Sequence, residues 1–262
     1  MLLAIDVGNT NLVLAIGDGT GRAGGDIVAR YRIETSAMTD PHQCEAAIRS
    51  SLGQTLDAVE DAVIASVVPD VTGPVATAMK AITGKTPLIV GQAGVDLGIA
   101  VNIDTPSQAG ADRLVNAVGA LAHHDVPAIL LDFGTATTLD LVGADGGYEG
   151  GIIAPGVALS IEALERAAAQ LPRLELRPFD ADLPVLGKNT VAAMESGVFW
   201  GYVGMIEGLL KRLRDERGEG KPLPAIATGG LAGLFAAHLS GITAVDPDLT
   251  VRGLFEIYAR NR

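Results

Sequence analysis

Asp6-Val7-Gly8-Asn9-Thr10 follows the apolar run 2–5, and an altered copy, Asp132-Phe133-Gly134-Thr135-Ala136-Thr137-Thr138, follows the apolar run 128–131. Each copy continues into a second run with the composition of a strand. Strand, carboxylate, glycine, hydroxyl or amide, strand is a hairpin whose turn can hold a phosphate. The glycine permits the sharp turn and lets an anion come close to the amides. A single copy reads equally well as an ordinary Asp-x-Gly turn with hydroxyls capping amides. Two copies about half a chain apart, inside a repeated order of elements, predict two similar subdomains facing one ligand.

Outward from the first turn, the pattern predicts strands at Leu2–Val7, Leu12–Gly17, Ile27–Glu34, Ala62–Val68 and Pro87–Val90, with helices near Pro41–Leu52, Val71–Ile82 and Ala109–His123. Around the second turn it predicts strands at Ala128–Phe133, Thr137–Val142, Tyr148–Ile153, Pro224–Ala227 and Ile242–Val245. Helices are predicted near Val157–Gln170, Thr190–Arg217, Leu231–Leu239 and Thr250–Ala259, with a loop over Leu171–Lys188 and a solvated turn over Gly218–Pro222. Three strands in a meander followed by alternating helices and strands give an α/β fold, each half a mixed sheet flanked by helices. The predicted division is 1–125 and 126–262.

The 262 residues are 48% hydrophobic, enough for a sizeable core, and carry a formal charge of −12. That charge argues against nucleic acid as a partner. The single cysteine, Cys44, excludes an internal disulfide and fits a reducing compartment. No run of apolar residues is long enough to span a membrane. The chain begins directly on a strand without a basic leader, so a cytoplasmic location is expected.

At the first turn the amides of Gly8, Asn9, Thr10 and Asn11 can address one anion, and Thr10 adds a hydroxyl. At the second, Thr135, Thr137 and Thr138 offer hydroxyls. Asp6 and Asp132 beside such sites repel an anion unless a cation intervenes, and Mg²⁺ bound through carboxylate, water and phosphate resolves the conflict. No lysine lies in or beside either turn, and no G-x-x-x-x-G-K-[ST] loop is present. Amides and metal ions must then counter the phosphate charge, and a monovalent cation near Asp132 suits that shortage. Thr228-Gly229-Gly230 could open a slot for adenine or ribose, or simply form a turn needing positive φ.

Gly110-Ala111-Asp112-Arg113 opens a helix, where Asp112 reads either as a cap or as a carboxylate orienting an acceptor hydroxyl. Arg113 reads as a fork for a carboxylate or as a surface ion pair. Gly197, Gly201, Gly204 and Gly208 lie on one face of the predicted long helix. Each costs a helix roughly 1 kcal/mol relative to alanine, which implies close approach by another helix of the chain or by a twofold partner.

Together these segments resemble the type III pantothenate kinases, in the superfamily of sugar kinases, Hsp70 and actin. The resemblance is carried by Asp6–Asn11, Ser66-Val67-Val68-Pro69, Gly110-Ala111-Asp112-Arg113 with Asn116, Asp132–Thr138, Gly150–Gly156, Asn189-Thr190 and Thr228-Gly229-Gly230. It implies two ribonuclease-H-like (actin-like ATPase) subdomains. It implies ATP-dependent phosphorylation of pantothenate to 4′-phosphopantothenate, the first step of coenzyme A biosynthesis. Asp112 would be the catalytic carboxylate, and Gly110, Ala111, Asp112 and Arg113 would hold pantothenate. Thr190 would reach pantothenate across a homodimer.

Asp6, Val7, Gly8, Asn9, Thr10, Asn11, Leu12 and Val13 would form the main ATP loop, joined by Thr135, with Gly229 and Gly230 on the adenosine side. Mg²⁺ would arrive with ATP near Asp6, and K⁺ or NH₄⁺ would sit at Asp132. One departure concerns Ile103, where family members often carry an aromatic. Two other readings stay open: a phosphohydrolase of the same superfamily, and a catalytically silent nucleotide-binding protein. An actin-like filament needs a longer chain, and a nicotinamide dehydrogenase needs a G-x-G-x-x-G after the first strand.

Overall fold

The computed structural model describes residues 1–18, 26–167, 172–174, 184–218 and 223–262. In chain order the elements are β1 (Leu2–Val7), β2 (Asn11–Gly17), β3 (Ile27–Glu34), α1 (Pro41–Leu52), β4 (Asp61–Ser66), α2 (Pro69–Thr83), β5 (Leu88–Ile89) and α3 (Ala111–His123). They continue with β6 (Ala128–Phe133), β7 (Ala136–Val142), β8 (Tyr148–Pro155), α4 (Val157–Ala167), α5 (Thr190–Arg217), β9 (Ala225–Thr228), α6 (Ala232–Phe235), β10 (Ala244–Val245) and α7 (Leu249–Arg260). The predicted helix end at 168–170, residues 171 and 175–183 of the predicted loop and residues 219–222 lie outside the described residues.

Read from each meander outward, the sheet orders are β3-β2-β1-β4-β5 and β8-β7-β6-β9-β10, one topology used twice. In the first sheet β1–β2 and β2–β3 run antiparallel, while β1–β4 and β4–β5 run parallel. In the second, β6–β9 and β9–β10 are parallel. The central strands β1 and β6 share a burial pattern, interrupted only at the penultimate residue, Asp6 or Asp132. Strand β3 alternates half-buried and exposed along its length, as an edge strand covered on one face should.

Side-chain alternation splits the first unit's core in two. Leu3, Ile5 and Val7 pack with Ile48 of α1 and Val75 of α2, while Leu2 and Ala4 pack with Val115 of α3 and Leu254 of α7. Asp6 therefore belongs to the sheet face that carries α3. The second unit buries Ile129, Leu131, Phe133, Phe199, Tyr202 and Phe235 together.

The two compact units are Met1–Val126 with Val142–Gly150 and Asp248–Arg262, and Pro127–Leu141 with Gly151–Pro247. The first unit therefore takes two segments that the division at 125/126 places in the second. The reason lies in packing. A Cβ on Gly253 would meet the Val115 carbonyl at 2.1 Å, and one on Gly119 would meet the Leu249 carbonyl at 2.5 Å, so α3 and α7 cross backbone to backbone. Thr250 Oγ1 donates to Asn116 Oδ1 at 2.7 Å, and Arg30 holds Asp248 through two hydrogen bonds. An amphipathic helix announces an apolar face in its sequence but not which surface will cover it.

Candidate active site

The first turn is Gly8-Asn9-Thr10, three residues between β1 and β2. The Gly8 amide donates to the Asn11 carbonyl at 3.0 Å. This corrects the expectation that four amides face an anion, because the Gly8 N–H is spent on closing the turn. Asn9 and Thr10 are exposed and Asn11 is half-buried. Val7 and Leu12 are fully buried, which leaves only their main chain for any ligand. Thr35, the residue after β3, donates its hydroxyl to the Gly8 carbonyl at 2.7 Å and its amide to the Thr10 carbonyl at 3.0 Å.

The second turn is shorter, Gly134-Thr135. The Gly134 amide donates to the Ala136 carbonyl at 3.1 Å. Thr135 is exposed, as a phosphate contact requires, but the other two hydroxyls expected there are not. Thr137 is completely buried and bonded to the Tyr202 hydroxyl, and Thr138 donates to the buried Asp140 at 3.0 Å. Strand β7 is buried on both faces from Thr137 onward, so both threonines are enclosed while the turn itself stays outside. Burial pushes the Tyr202 phenol up to about 12, with the Thr137 hydrogen bond opposing and the Asp132 charge assisting.

Gly229 follows β9, whose Thr228 pairs with Asp132. Its φ is +90°, and a Cβ there would lie 2.4 Å from Asp132 Oδ1. Both facts demand glycine at this position. Gly156, just after β8, is more constrained still: a Cβ would meet the Thr135 carbonyl at 2.2 Å and the Gly134 carbonyl at 2.7 Å.

On the acceptor side, Gly110 is the N-cap of α3 and makes no side-chain cap. Asp112 sits in the first turn, where its Oδ1 accepts from the Arg113 amide at 2.8 Å. A Cβ on Gly110 would fall 2.6 Å from that oxygen, so glycine leaves room for the carboxylate to fold over the helix end. The Arg113 guanidinium lies 5.6 Å from the centroid of the buried Tyr148 ring, within cation–π range. Tyr148 is pinned by two backbone bonds of 2.8 Å, from its amide to the Ala100 carbonyl and from the Asn102 amide to its own carbonyl. Ile103 is half-buried against Gly150, with Cγ2 3.3 Å from where a Cβ there would lie.

Thr190 is the exposed first residue of α5, capped by Asn189, whose side chain accepts the Ala192 amide at 2.9 Å. It lines a cavity of about 900 Å³ that also includes Leu164, Met194, Gly197 and Gly201. The four glycines of the α5 face are all exposed, and a Cβ on any of them would meet nothing within 4 Å. Among the described residues, no helix of this chain uses the space they leave.

Among the described residues no group of three or more His, Cys, Asp or Glu could form a metal site on its own. Carboxylates outside such a group, as Asp6 and Asp132 are, fit ions that take their remaining ligands from water and phosphate. No helix among those residues is long and apolar enough to cross a membrane.

Residues 2–212 match the family model described as type III pantothenate kinase. The chain belongs to that family. It is 47% identical to the type III pantothenate kinase of Rhodospirillum centenum, covering 100% of this chain and 99% of that one. To the enzyme of the same name from Paramagnetospirillum magneticum it is 48% identical, over 100% and 98% of the two chains. Among solved structures, the inorganic polyphosphate/ATP-glucomannokinase of an Arthrobacter species superposes with a TM-score of 0.51 at 14% identity, covering 99% of this chain and 97% of that one. That likeness bears on the fold alone, and with the doubled sheet topology it places the chain among the sugar-kinase and actin-like ATPase folds.

The sequence reading missed the supporting residues Thr35, Tyr148 and Tyr202. Gly156 lies in a quoted motif, but nothing in the motif shows that it touches the second turn. For Thr35 a signal did exist, since it directly follows the strand predicted at Ile27–Glu34; the strand predicted at Tyr148–Ile153 stops short of Gly156, whereas the observed β8 runs to Pro155.

Proposed function

We propose that this chain transfers the γ-phosphoryl group of MgATP to the primary hydroxyl of pantothenate, giving 4′-phosphopantothenate. The observation that carries the reading is the start of α3, where Gly110 makes room for the Asp112 carboxylate and Arg113 stands beside it over Tyr148. Asp112 orients the acceptor hydroxyl, and Arg113 takes the pantothenate carboxylate through its planar fork. Phosphoryl transfer asks for positioning and charge neutralisation more than for covalent help from the protein. The amides of Asn9 and Thr10, with the hydroxyls of Thr10 and Thr135, serve the phosphates. Gly229 and Gly230 serve the adenosine. Asp6 supports Mg²⁺ that arrives with ATP, and Asp132 supports K⁺ or NH₄⁺.

The exposed glycine face of α5 and the neighbouring Thr190 support a homodimer in which Thr190 of one subunit reaches pantothenate in the other. The partners are small molecules and a second copy, without nucleic acid or membrane, in the cytoplasm.

A coupled assay with MgATP in potassium buffer, scanning pantothenate and other small hydroxylated acids, tests the reading. ADP release that depends on pantothenate is expected. Phosphate release at the same rate without any acceptor would favour the phosphohydrolase. Nucleotide binding with no turnover would favour the silent protein.

A further inference from the structure

We infer that Thr35 is a positioning residue for ATP, acting through the first turn. The inference rests on the reading of that turn as a phosphate site. Thr35 is 4% exposed and makes two bonds to the turn, from its hydroxyl to the Gly8 carbonyl and from its amide to the Thr10 carbonyl. A peptide unit is planar and trans, so the carbonyl of one residue and the N–H of the next point in opposite directions. Holding the Gly8 carbonyl toward Thr35 therefore aims the Asn9 N–H away from Thr35. The bond from the Thr35 amide anchors the far side of the turn and survives any side-chain change. The hydroxyl bond alone fixes the peptide between Gly8 and Asn9.

This orientation has value here because the Gly8 amide is already committed to Asn11, and the sequence places no lysine in or beside the turn to compensate for a misdirected amide. A preorganised amide costs no reorganisation when the phosphate arrives. A freely rotating peptide would have to be ordered by the ligand.

The experiment compares wild type, Thr35→Val and Thr35→Ser with ATP and pantothenate varied independently and melting temperatures recorded in parallel. Valine keeps the shape and removes the donor, and serine keeps the donor. We expect Thr35→Val to raise KM for ATP about five- to tenfold, the scale of one lost buried hydrogen bond. KM for pantothenate should stay within about twofold, and Thr35→Ser should restore the ATP value. Should the valine variant fail to fold, Thr35→Ala carries the same comparison against serine.

Equal rises in both KM values would mean general loosening and would overturn the inference. So would a donor-free variant with unchanged KM for ATP, or serine failing to rescue. A wild-type chain with no pantothenate-dependent turnover would instead sink the reading of the reaction. Thr35 would then be judged by whether removing its hydroxyl weakens ATP binding, measured by calorimetry.

Discussion

After β3 comes Thr35, and at the same place in the repeated topology, after β8, comes Gly156. Both brace the turn at the tip of their own sheet, by opposite means. Thr35 adds atoms and holds the three-residue first turn by two hydrogen bonds. Gly156 omits atoms and lets its backbone lie against the carbonyls of the two-residue second turn. A hydrogen-bonded brace accepts any side chain that keeps the donor in place. A steric brace accepts none, since even one methyl group collides. The shared topology therefore fixes where support is needed, and the length of each turn decides what kind of support fits.

The largest expected effect lies outside both turns and gives the scale for the rest. Asp112→Asn should lower kcat by about 10³-fold, within the range attributed to a positioned acid or base, while ATP affinity remains that of wild type. Equilibrium nucleotide binding alongside single-turnover rates would check this. Turnover within about tenfold of wild type would remove Asp112 from its role and leave the turns to account for the rate.

Gly156→Ala comes next and tests the steric brace directly. Its new Cβ cannot coexist with the Thr135 carbonyl at 2.2 Å, so the second turn must move. Overpacking of this kind costs roughly 1–3 kcal/mol of stability, and a displacement near 1 Å can cost about 10²-fold in rate. Thermal unfolding and kcat together would show it. If Gly156→Ala proved as mild as Thr35→Ser, the contrast between the two braces would be lost.

Asp132→Asn should produce a smaller and more selective change. With the carboxylate neutralised, rates in K⁺, NH₄⁺ and Na⁺ should converge, while Asp6→Asn should leave the preference among the three salts in place. Convergence in both variants, or in neither, would erase the assigned difference between the two acidic positions.

Much of this fold was legible because its signals are local. The apolar runs 2–5 and 128–131, each followed by an Asp-x-Gly turn, marked the central strand of each sheet, and β6 begins and ends where its pattern predicts. Helix α2 begins at Pro69, two residues before its apolar periodicity, because proline suits a first helical turn that needs no amide donor. What stayed hidden depends on contacts between distant residues. The affiliation of α7 rests on its glycine crossing with α3, and the loss of Thr137 and Thr138 as ligands rests on Tyr202 and Asp140. The glycine face of α5 was legible as a pattern, and a Cβ on any of its four glycines meets nothing within 4 Å among the described residues.

The mildest expected effect concerns what lies beneath the second turn. Tyr202 is buried against Thr137 and feels the Asp132 charge, and its phenol is pushed up to about 12 from an ordinary value of about 10. The folded state thus holds this proton more tightly than the unfolded chain does. The resulting stability is complete below about pH 10 and is lost as pH rises through about 12. Tyr202→Phe keeps the ring packed against Phe235 and has no proton to lose. Urea unfolding midpoints measured across that window should fall less steeply for the variant than for wild type. The hydroxyl of Thr35 does not titrate there, so Thr35→Val should leave the wild-type slope intact. Parallel curves for wild type and Tyr202→Phe would mean that the phenol does not couple the second turn to pH, and the support under that turn would reduce to the fit of Gly156.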